Sequence, residues 1–212
     1  MSRIILSSAY HAPIQYYTKF LLDTPVIIDQ YETYVKQSYR NRCLINSANG
    51  AMPLSVPVVY SAKERTKMKD VAISGHDNWQ HTHWNAIVSA YNSTPFFEYY
   101  RDDFERFYTG KFDGLLHFND QLLRLTLSLL KIDAPKITYS TDYVNRLSAD
   151  DMDYREMIHP KKGCAADTLF VPQRYYQVFE EKHGFVPNLS ILDLLFNMGN
   201  EGLLVLLQSM KG

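Results

Sequence analysis

Short apolar runs alternate with an amphipathic stretch over the first thirty residues. Arg3–Ser8 is rich in large aliphatic residues and ends in small polar ones, which is typical of a buried strand. Pro13–Leu22 repeats apolar positions at intervals of three and four, and its proline suits a first helical turn. Pro25–Gln30 is a second apolar run. The order strand, helix, strand predicts a crossover that joins two parallel strands.

Several more short strands are predicted. Arg42–Ile45 and Leu54–Val59 lie on either side of a loop with Asn49-Gly50, a dipeptide that tolerates the positive φ of a tight turn. Pro53, just before the second run, and Pro57, within it, place that strand near a sheet edge. Three further strand candidates are Val71–Ser74, Lys136–Ser140 and Tyr175–Phe179.

In the middle and the C-terminal part of the chain, apolar residues recur with the period of a helix. This period predicts helices over 78–92, 96–108, 115–130, 188–197 and 202–210. Residues 141–167 are instead rich in Asp, Arg, Lys and Ser, and we expect an irregular loop or lid there. The elements predict an α/β protein, a single domain over residues 1–212. We expect a mixed β-sheet of at least five strands flanked by helices, with a helix-rich middle and C-terminus.

Composition and charge exclude several classes of protein. The 212 residues carry 22 Lys and Arg against 23 Asp and Glu, a formal net charge of −1. Proteins bind nucleic acid largely through a basic surface. Because this chain is close to neutral, no nucleic-acid partner is expected. The apolar runs fall short of the roughly 18 residues of a membrane span, and no signal peptide is recognised, which predicts a cytoplasmic protein. Cys43 and Cys164 are expected to be reduced thiols.

The connection after the first strand is the first candidate site. Ligands of parallel sheets sit beyond the carboxyl ends of strands, where helix N-termini offer unpaired N–H groups. Within Ser7–Pro13, small residues would let a substrate approach the backbone, Tyr10 supplies a donor and His11 a titratable base. The same sequence also fits an ordinary connection between a strand and a helix.

Two arginines form the second candidate. Arg40 and Arg42 stand two residues apart, and on a strand they would share one face. Their guanidinium groups could hold a phosphate or a carboxylate. The alternative is a solvated strand face that is salt-bridged to nearby acids.

A histidine-rich segment over residues 76–84 is the third candidate. His81 and His83 would share a metal ion only on a strand, because helical positions two apart point about 200° apart. The helical pattern therefore predicts no metal, and it turns His83 inward and His81 outward. An inward imidazole is either a hydrogen-bonded core residue or the base that acyl transfer needs.

Elsewhere the chain lacks the common signatures of catalysis. It holds no P-loop, no G-x-G-x-x-G, no G-x-S-x-G and no H-E-x-x-H, and no cofactor is predicted. Asp193 interrupts an apolar helix, and we expect it either to face outward or to pair with a buried partner such as an arginine.

A set of segments spread along the chain carries a family resemblance. They are Ser7–Phe20, Val26–Tyr31, Tyr39–Arg42, Asn49-Gly50, Leu54–Pro57, Trp79–Tyr91, Pro95–Tyr99 and Phe185–Gly199. In this order they resemble the WbqC-like proteins of bacteria. That family opens with a His-Gln-Pro-Asn-Tyr-type segment, and alignment on Pro13 places Ser7 and Ser8 at its His and Gln. The Arg-Asn-Arg segment and His83 do match.

The resemblance implies a cytoplasmic protein of surface-polysaccharide loci, O-antigen loci among them, and transfer of a glycyl or other acyl group to an activated amino sugar. In such a transferase Arg40, Asn41 and Arg42 would bind a nucleotide-activated amino sugar or another anionic small molecule. The remaining roles would be the catalytic base for His83 and substrate binding for Tyr10, His11 and Trp84.

Two rival functions stay open on the sequence. A non-catalytic partner or scaffold in a polysaccharide-biosynthesis complex is favoured by the missing nucleotide signatures and the altered opening segment. Nucleotidyl transfer is indicated only by the strand–helix–strand opening. The sequence also leaves a homo-oligomer open.

Overall fold

Short strands and helices follow one another along the chain in a computed structural model that describes residues 2–75, 77–133 and 137–211. In order they are β1 (Ile4–Leu6), α1 (Ile14–Thr18), β2 (Val26–Ile28), β3 (Arg42–Ser47), β4 (Gly50–Ser55), β5 (Val58–Val59), β6 (Ala72–Ile73), α2 (Trp79–Tyr91), α3 (Phe97–Thr109), α4 (Leu115–Leu129), β7 (Ile137–Tyr139), β8 (Met152–Asp153), α5 (Glu180–His183), α6 (Ile191–Met198) and α7 (Gly202–Gln208).

A parallel sheet of four strands, in the order β7-β2-β1-β8, lies at the centre of the fold. Ile4 pairs with Val26 and Leu6 with Ile28, so the predicted parallel crossover through α1 is confirmed. β7 pairs with the other side of β2, and β8 pairs with the other side of β1. All three residues of β1 are fully buried, so this strand lies in the core of the protein.

Antiparallel pairing occurs in two separate sheets of two strands. β3 and β4 form a hairpin whose closing pair is Ser47 and Gly50, and Gly50 takes the positive φ of 99° that the turn requires. β5 pairs with β6. The α/β class with strands of both senses is confirmed, but the largest sheet of the described residues has four strands, and the expectation of five or more in one sheet is wrong.

Two segments differ from the sequence-based prediction. Tyr175–Phe179 is not a strand. The N–H of Val178 donates to the side chain of Asn197, and the side-chain amide of Gln177 donates to the carbonyl and accepts from the N–H of Val186. Within residues 141–167, β8 joins the central sheet. A strand of two residues shows no alternation that could reveal it. The strand predicted from Lys136 is β7, and Lys136 itself lies outside the described residues.

Helices cover the sheet and close the core. α2, α3 and α4 bury an apolar stripe each, and α6 buries every residue from Ile191 to Asn197. Ser190 caps α6 by accepting the N–H of Leu192, whereas Asn78 stands before α2 without a capping bond. Ile191–Gln208 is long and apolar enough to cross a membrane, with a mean hydropathy of 1.2, but 61% of it is buried in the fold. A core helix passes the same test, so this is a weak indication of a membrane span.

Gly199→Ala should destabilise the protein. Gly199 ends α6 at a φ of 55°, and an added Cβ would lie 2.6 Å from the ring of Phe96. Left-handed backbone and an overpacked contact together cost about 2–4 kcal/mol in the free energy of unfolding, measurable by urea denaturation. Gly163→Ala is the control, because its φ is −67° and nothing lies within 4 Å. Equal stability of the two variants would contradict this reading.

Candidate functional site

The four parallel strands end at one edge of the sheet, and polar residues follow each of them. Ligand sites in parallel sheets form beyond this edge, where neighbouring strands have connections running in opposite directions. The chain leaves β1 toward β2, whereas β8 pairs on the opposite side of β1. A cavity of about 480 Å³ opens between the residues that follow β2 and β8. It is lined by Glu32, Thr33, Val35, Arg40, Arg65, Lys67, Tyr143, Asp153, Arg155 and Glu156.

Arg40 and Glu32 form a buried, bidentate ion pair in the cavity wall. Nε of Arg40 donates to Oε1 of Glu32 at 2.9 Å, and Nη2 donates to Oε2 at 2.6 Å. The Ser7 hydroxyl donates to the same carboxylate at 3.0 Å. Burial raises the pKa of Glu32, and Arg40 and Ser7 oppose that shift. Nη2 of Arg40 also lies 3.4 Å from the carboxylate of Glu156, which is exposed in the cavity.

Arg155 joins two carboxylates on the other wall. Its Nη1 donates to Asp29 at 2.6 Å, and its Nη2 and Nε donate to Asp153 at 2.6 and 3.0 Å. Burial would raise the pKa of Asp153, but the hydrogen bonds from Arg155 outweigh it and hold that pKa below its ordinary value. The guanidinium carbon of Arg155 lies 5.0 Å from the ring of Tyr143, which rims the cavity. Both buried arginines are thus already committed to carboxylates.

Arg65 and Lys67 give the cavity positive charge that no carboxylate neutralises within the described part of the chain. Their loop is tied to the residues that line the cavity, because Lys67 forms an antiparallel bridge with Thr33 and the N–H of Tyr34 donates to the carbonyl of Thr66 at 2.9 Å. Two cations held at a cavity mouth without a partner are a suitable arrangement for an anionic ligand.

A second polar assembly, a cluster of Tyr10, His11, His83 and Tyr108, lies inside the core. The Tyr10 hydroxyl is 3.0 Å from Nδ1 of His83 and 2.8 Å from the Tyr108 hydroxyl, which is 2.8 Å from Nε2 of His11. The exposed fraction of each of the four is 6% or less. Burial, with His83 nearby, lowers the pKa of His11 to about 3, and burial lowers that of His83 to about 4. Both imidazoles are therefore neutral at pH 7.

The structure brings only part of the predicted site together. Arg40 lines the cavity, whereas Arg42 begins β3 and donates to the Ser55 hydroxyl at 3.0 Å. The expected shared strand face does not exist, because Arg40 lies in the turn before the strand. Asn41 donates to the carbonyl of Val56 at 2.7 Å, which fixes the backbone there.

The predicted base and its aromatic neighbour lie away from the cavity. His83, Tyr10 and His11 are absent from its lining. Trp84 is buried, donates to Glu105 at 3.1 Å and stacks on Tyr108. The roles assigned to these residues stay predictions that the geometry does not connect to the cavity.

The described histidines, cysteines and carboxylates contain no group of three that could hold a metal ion. His83 is buried in α2 and His81 is exposed, as the helical spacing predicts. Asp193 is buried and accepts from the hydroxyls of Tyr91 and Tyr175 at 3.0 and 2.7 Å, so its partners are tyrosines rather than an arginine. Burial raises the pKa of Asp193 to about 6, although the tyrosines oppose the shift.

Sequence reasoning missed most of the cavity. Glu32 follows a correctly predicted strand, so the carboxyl-end rule that singled out Ser7–Pro13 after β1 could have found it after β2 as well. Asp153, Arg155 and Glu156 lie at or after β8, which is too short to show a pattern. Arg65 and Lys67 had no signal, because only the fold brings their loop to the sheet edge.

The fold and the cavity define an α/β protein with a charged cavity beyond the carboxyl ends of a parallel sheet. A sequence profile of the WbqC-like protein family matches residues 8–173, and the chain belongs to that family. It is also similar to the uncharacterized protein Rv1507c of Mycobacterium tuberculosis, with 27% identity over 95% of this chain and 96% of that protein. No solved structure gave a significant match.

The buried histidines should make stability depend on pH. Below pH 6.5 the unfolded chain protonates His83, but the folded protein does so only at about pH 4. The unfolded state thus binds more protons, and the free energy of unfolding contributed by His83 falls as the pH drops through this window. For His83→Gln, the free energy of unfolding should change less steeply with pH, by up to ~1.4 kcal/mol per pH unit. Urea denaturation across a pH series measures this slope.

A matched control for this slope is His81→Gln, which changes an exposed histidine on the same helix and should behave like the unchanged protein. The raised pKa of Asp193 contributes with the opposite sign in every variant, so it cancels in the comparison. A His83→Gln slope identical to that of His81→Gln would show that His83 titrates alike in both states.

Arg40→Met should destabilise the fold by about 3–5 kcal/mol, because it leaves the Glu32 carboxylate buried without its partner. Arg40→Met combined with Glu32→Met removes both charges and should cost less than the single change. Arg42→Met is the control, with an expected cost under about 1 kcal/mol. Thermal unfolding of the three variants tests this, and an Arg40→Met cost as small as that of Arg42→Met would refute it.

Proposed function

We propose that the protein is a cytoplasmic transferase that moves an acyl or glycyl group to the amine of an activated, phosphate-bearing amino sugar during surface-polysaccharide assembly. The observation that carries the proposal is a pair of cations, Arg65 and Lys67, which line a cavity beyond the carboxyl ends of the parallel sheet and which no carboxylate of the described residues neutralises. Membership of the WbqC-like family supports the polysaccharide context.

The phosphates of the substrate bind to Arg65 and Lys67. Guanidinium and ammonium groups without carboxylate partners can bond to phosphate oxygens without first breaking an ion pair, unlike Arg40 and Arg155. The buried ion pairs instead keep the cavity wall rigid, so that less ordering is needed when the ligand binds. The sugar then lies toward Glu156, which lines the same cavity.

Glu156 is the proton acceptor that the cavity offers. The sugar amine attacks the carbonyl carbon of an activated acyl donor such as a thioester. The new C–N bond forms, the bond to the leaving thiolate breaks, and the amine proton goes to the Glu156 carboxylate. The side chain of Glu156 is 65% exposed, whereas His83 bonds to Tyr10 inside the core. Geometry thus favours Glu156 over His83 as the base.

A non-catalytic partner role is the second candidate function. It is favoured by three exposed apolar side chains, Leu204 and Leu207 of α7 and Val171. Exposed apolar surface of this kind is typical of protein–protein contacts. A protein that acts only as a partner has no need to bind a nucleotide sugar, so ligand binding separates the two functions.

The double variant Arg65→Ala/Lys67→Ala should weaken nucleotide-sugar binding on the order of ten-fold or more, because two charge-assisted contacts to phosphate are lost. Isothermal titration calorimetry with uridine and thymidine diphosphate sugars measures this. Its control, Lys63→Ala/Lys111→Ala, removes two exposed lysines outside the cavity and should keep the affinity. If the unchanged protein binds no nucleotide sugar, the transferase proposal fails and the partner role is favoured.

A further inference from the structure

A second hollow lies beside the loop that carries Arg65 and Lys67. Its volume is about 550 Å³, and Tyr60, Glu64 and Asp70 are among its lining residues. Arg65 and Lys67 line this hollow as well as the cavity at the sheet edge. The two cations therefore stand between two spaces, each large enough for one half of an extended ligand.

Local hydrogen bonds fix the shape of this loop. The N–H of Ser61 donates to the Thr66 hydroxyl at 2.8 Å, and the N–H of Thr66 donates back to the carbonyl of Ser61 at 3.2 Å. The N–H of Glu64 donates to the Ser61 hydroxyl at 3.2 Å. Arg65 sits at the tip with a positive φ of 51°. These bonds hold the backbone of the loop in one shape before a ligand arrives.

We infer that the second hollow binds the nucleoside of a nucleoside diphosphate sugar, with the diphosphate at Arg65 and Lys67 and the sugar in the first cavity. This inference rests on the proposed function and names its acceptor site. A ligand with phosphates in its middle and a ring system at each end matches two hollows that share their cations. A simple sugar phosphate would leave the second hollow without an occupant.

Tyr60 supplies the surface for the base. Tyr60 is 37% exposed, and its ring packs against the buried ring of Tyr34, with centroids 4.7 Å apart. A planar base stacks on such a ring with little loss of side-chain entropy. Bases of every kind have an aromatic face, so this contact recognises a nucleoside without selecting one base.

Glu64 supplies an acceptor for the ribose. Its carboxylate takes part in no ion pair with the described residues, whereas the Asp70 carboxylate accepts from Lys69 at 2.7 Å. A carboxylate is an acceptor that can bond to two neighbouring hydroxyl groups at once. The hollow thus combines an aromatic face, a free acceptor and the shared cations, which are the groups that a nucleoside diphosphate requires.

Isothermal titration of uridine diphosphate and of inorganic pyrophosphate tests the assignment. Tyr60→Ala should weaken uridine diphosphate roughly ten-fold through the lost stacking and leave pyrophosphate unchanged. Tyr60→Phe keeps the ring and should keep the affinity. Tyr99→Ala, which removes an exposed tyrosine on α3, is the control and should change neither ligand.

A second variant covers the case in which Tyr60→Ala fails to fold. Glu64→Ala should abolish the preference for uridine diphosphate over its 2′-deoxy form. If the unchanged protein binds uridine diphosphate and pyrophosphate with equal affinity and no variant alters either, the nucleoside site is refuted while the phosphate-binding transferase stands. If neither ligand nor any nucleotide sugar binds, both the inference and the proposed function fail.

Discussion

Buried ion pairs at the carboxyl edge of the parallel sheet determine what the rest of this protein can do. Arg40 pairs with Glu32, and Arg155 pairs with Asp29 and Asp153, so that the ends of β2 and β8 and the turn before β3 are tied together. Charges are tolerated inside a protein only when they are paired with good geometry. These ion pairs therefore hold the cavity wall in place. The charges that bind a ligand come from residues outside the pairs.

The polar residues of the core have a different task from those of the cavity. Tyr10, His83 and Tyr108 join the β1–α1 connection to α2 and α3, and Asp193 joins α6 to Tyr91 and to the irregular segment of Tyr175. Each assembly connects parts of the chain that are distant in sequence. Such networks specify one arrangement of the helices, because a buried donor or acceptor without its partner is costly.

Part of the candidate site follows from the sequence and part does not. Arg40 could be singled out, because an Arg-Asn-Arg segment is recognisable in itself, although its partner Glu32 was not foreseen. The inward direction of His83 followed from the helical period. The sequence could not show that this imidazole would be enclosed by tyrosines, because burial on every side depends on the packing of α3. Arg65 and Lys67 reach the sheet edge only through the pairing of residues 66–69 with residues 30–34.

Local pattern by itself determined the first parallel crossover, the β3–β4 hairpin and the long helices α2, α3 and α4. These elements are encoded in the period of apolar residues and in turn residues close in sequence. Tertiary structure alone decided the position of β8, the irregular course of residues 175–179 and the place where cations meet a cavity. The physical reason is that the pairing of a strand of two residues, and the ion pair between Arg155 and Asp29, depend on partners more than a hundred positions away.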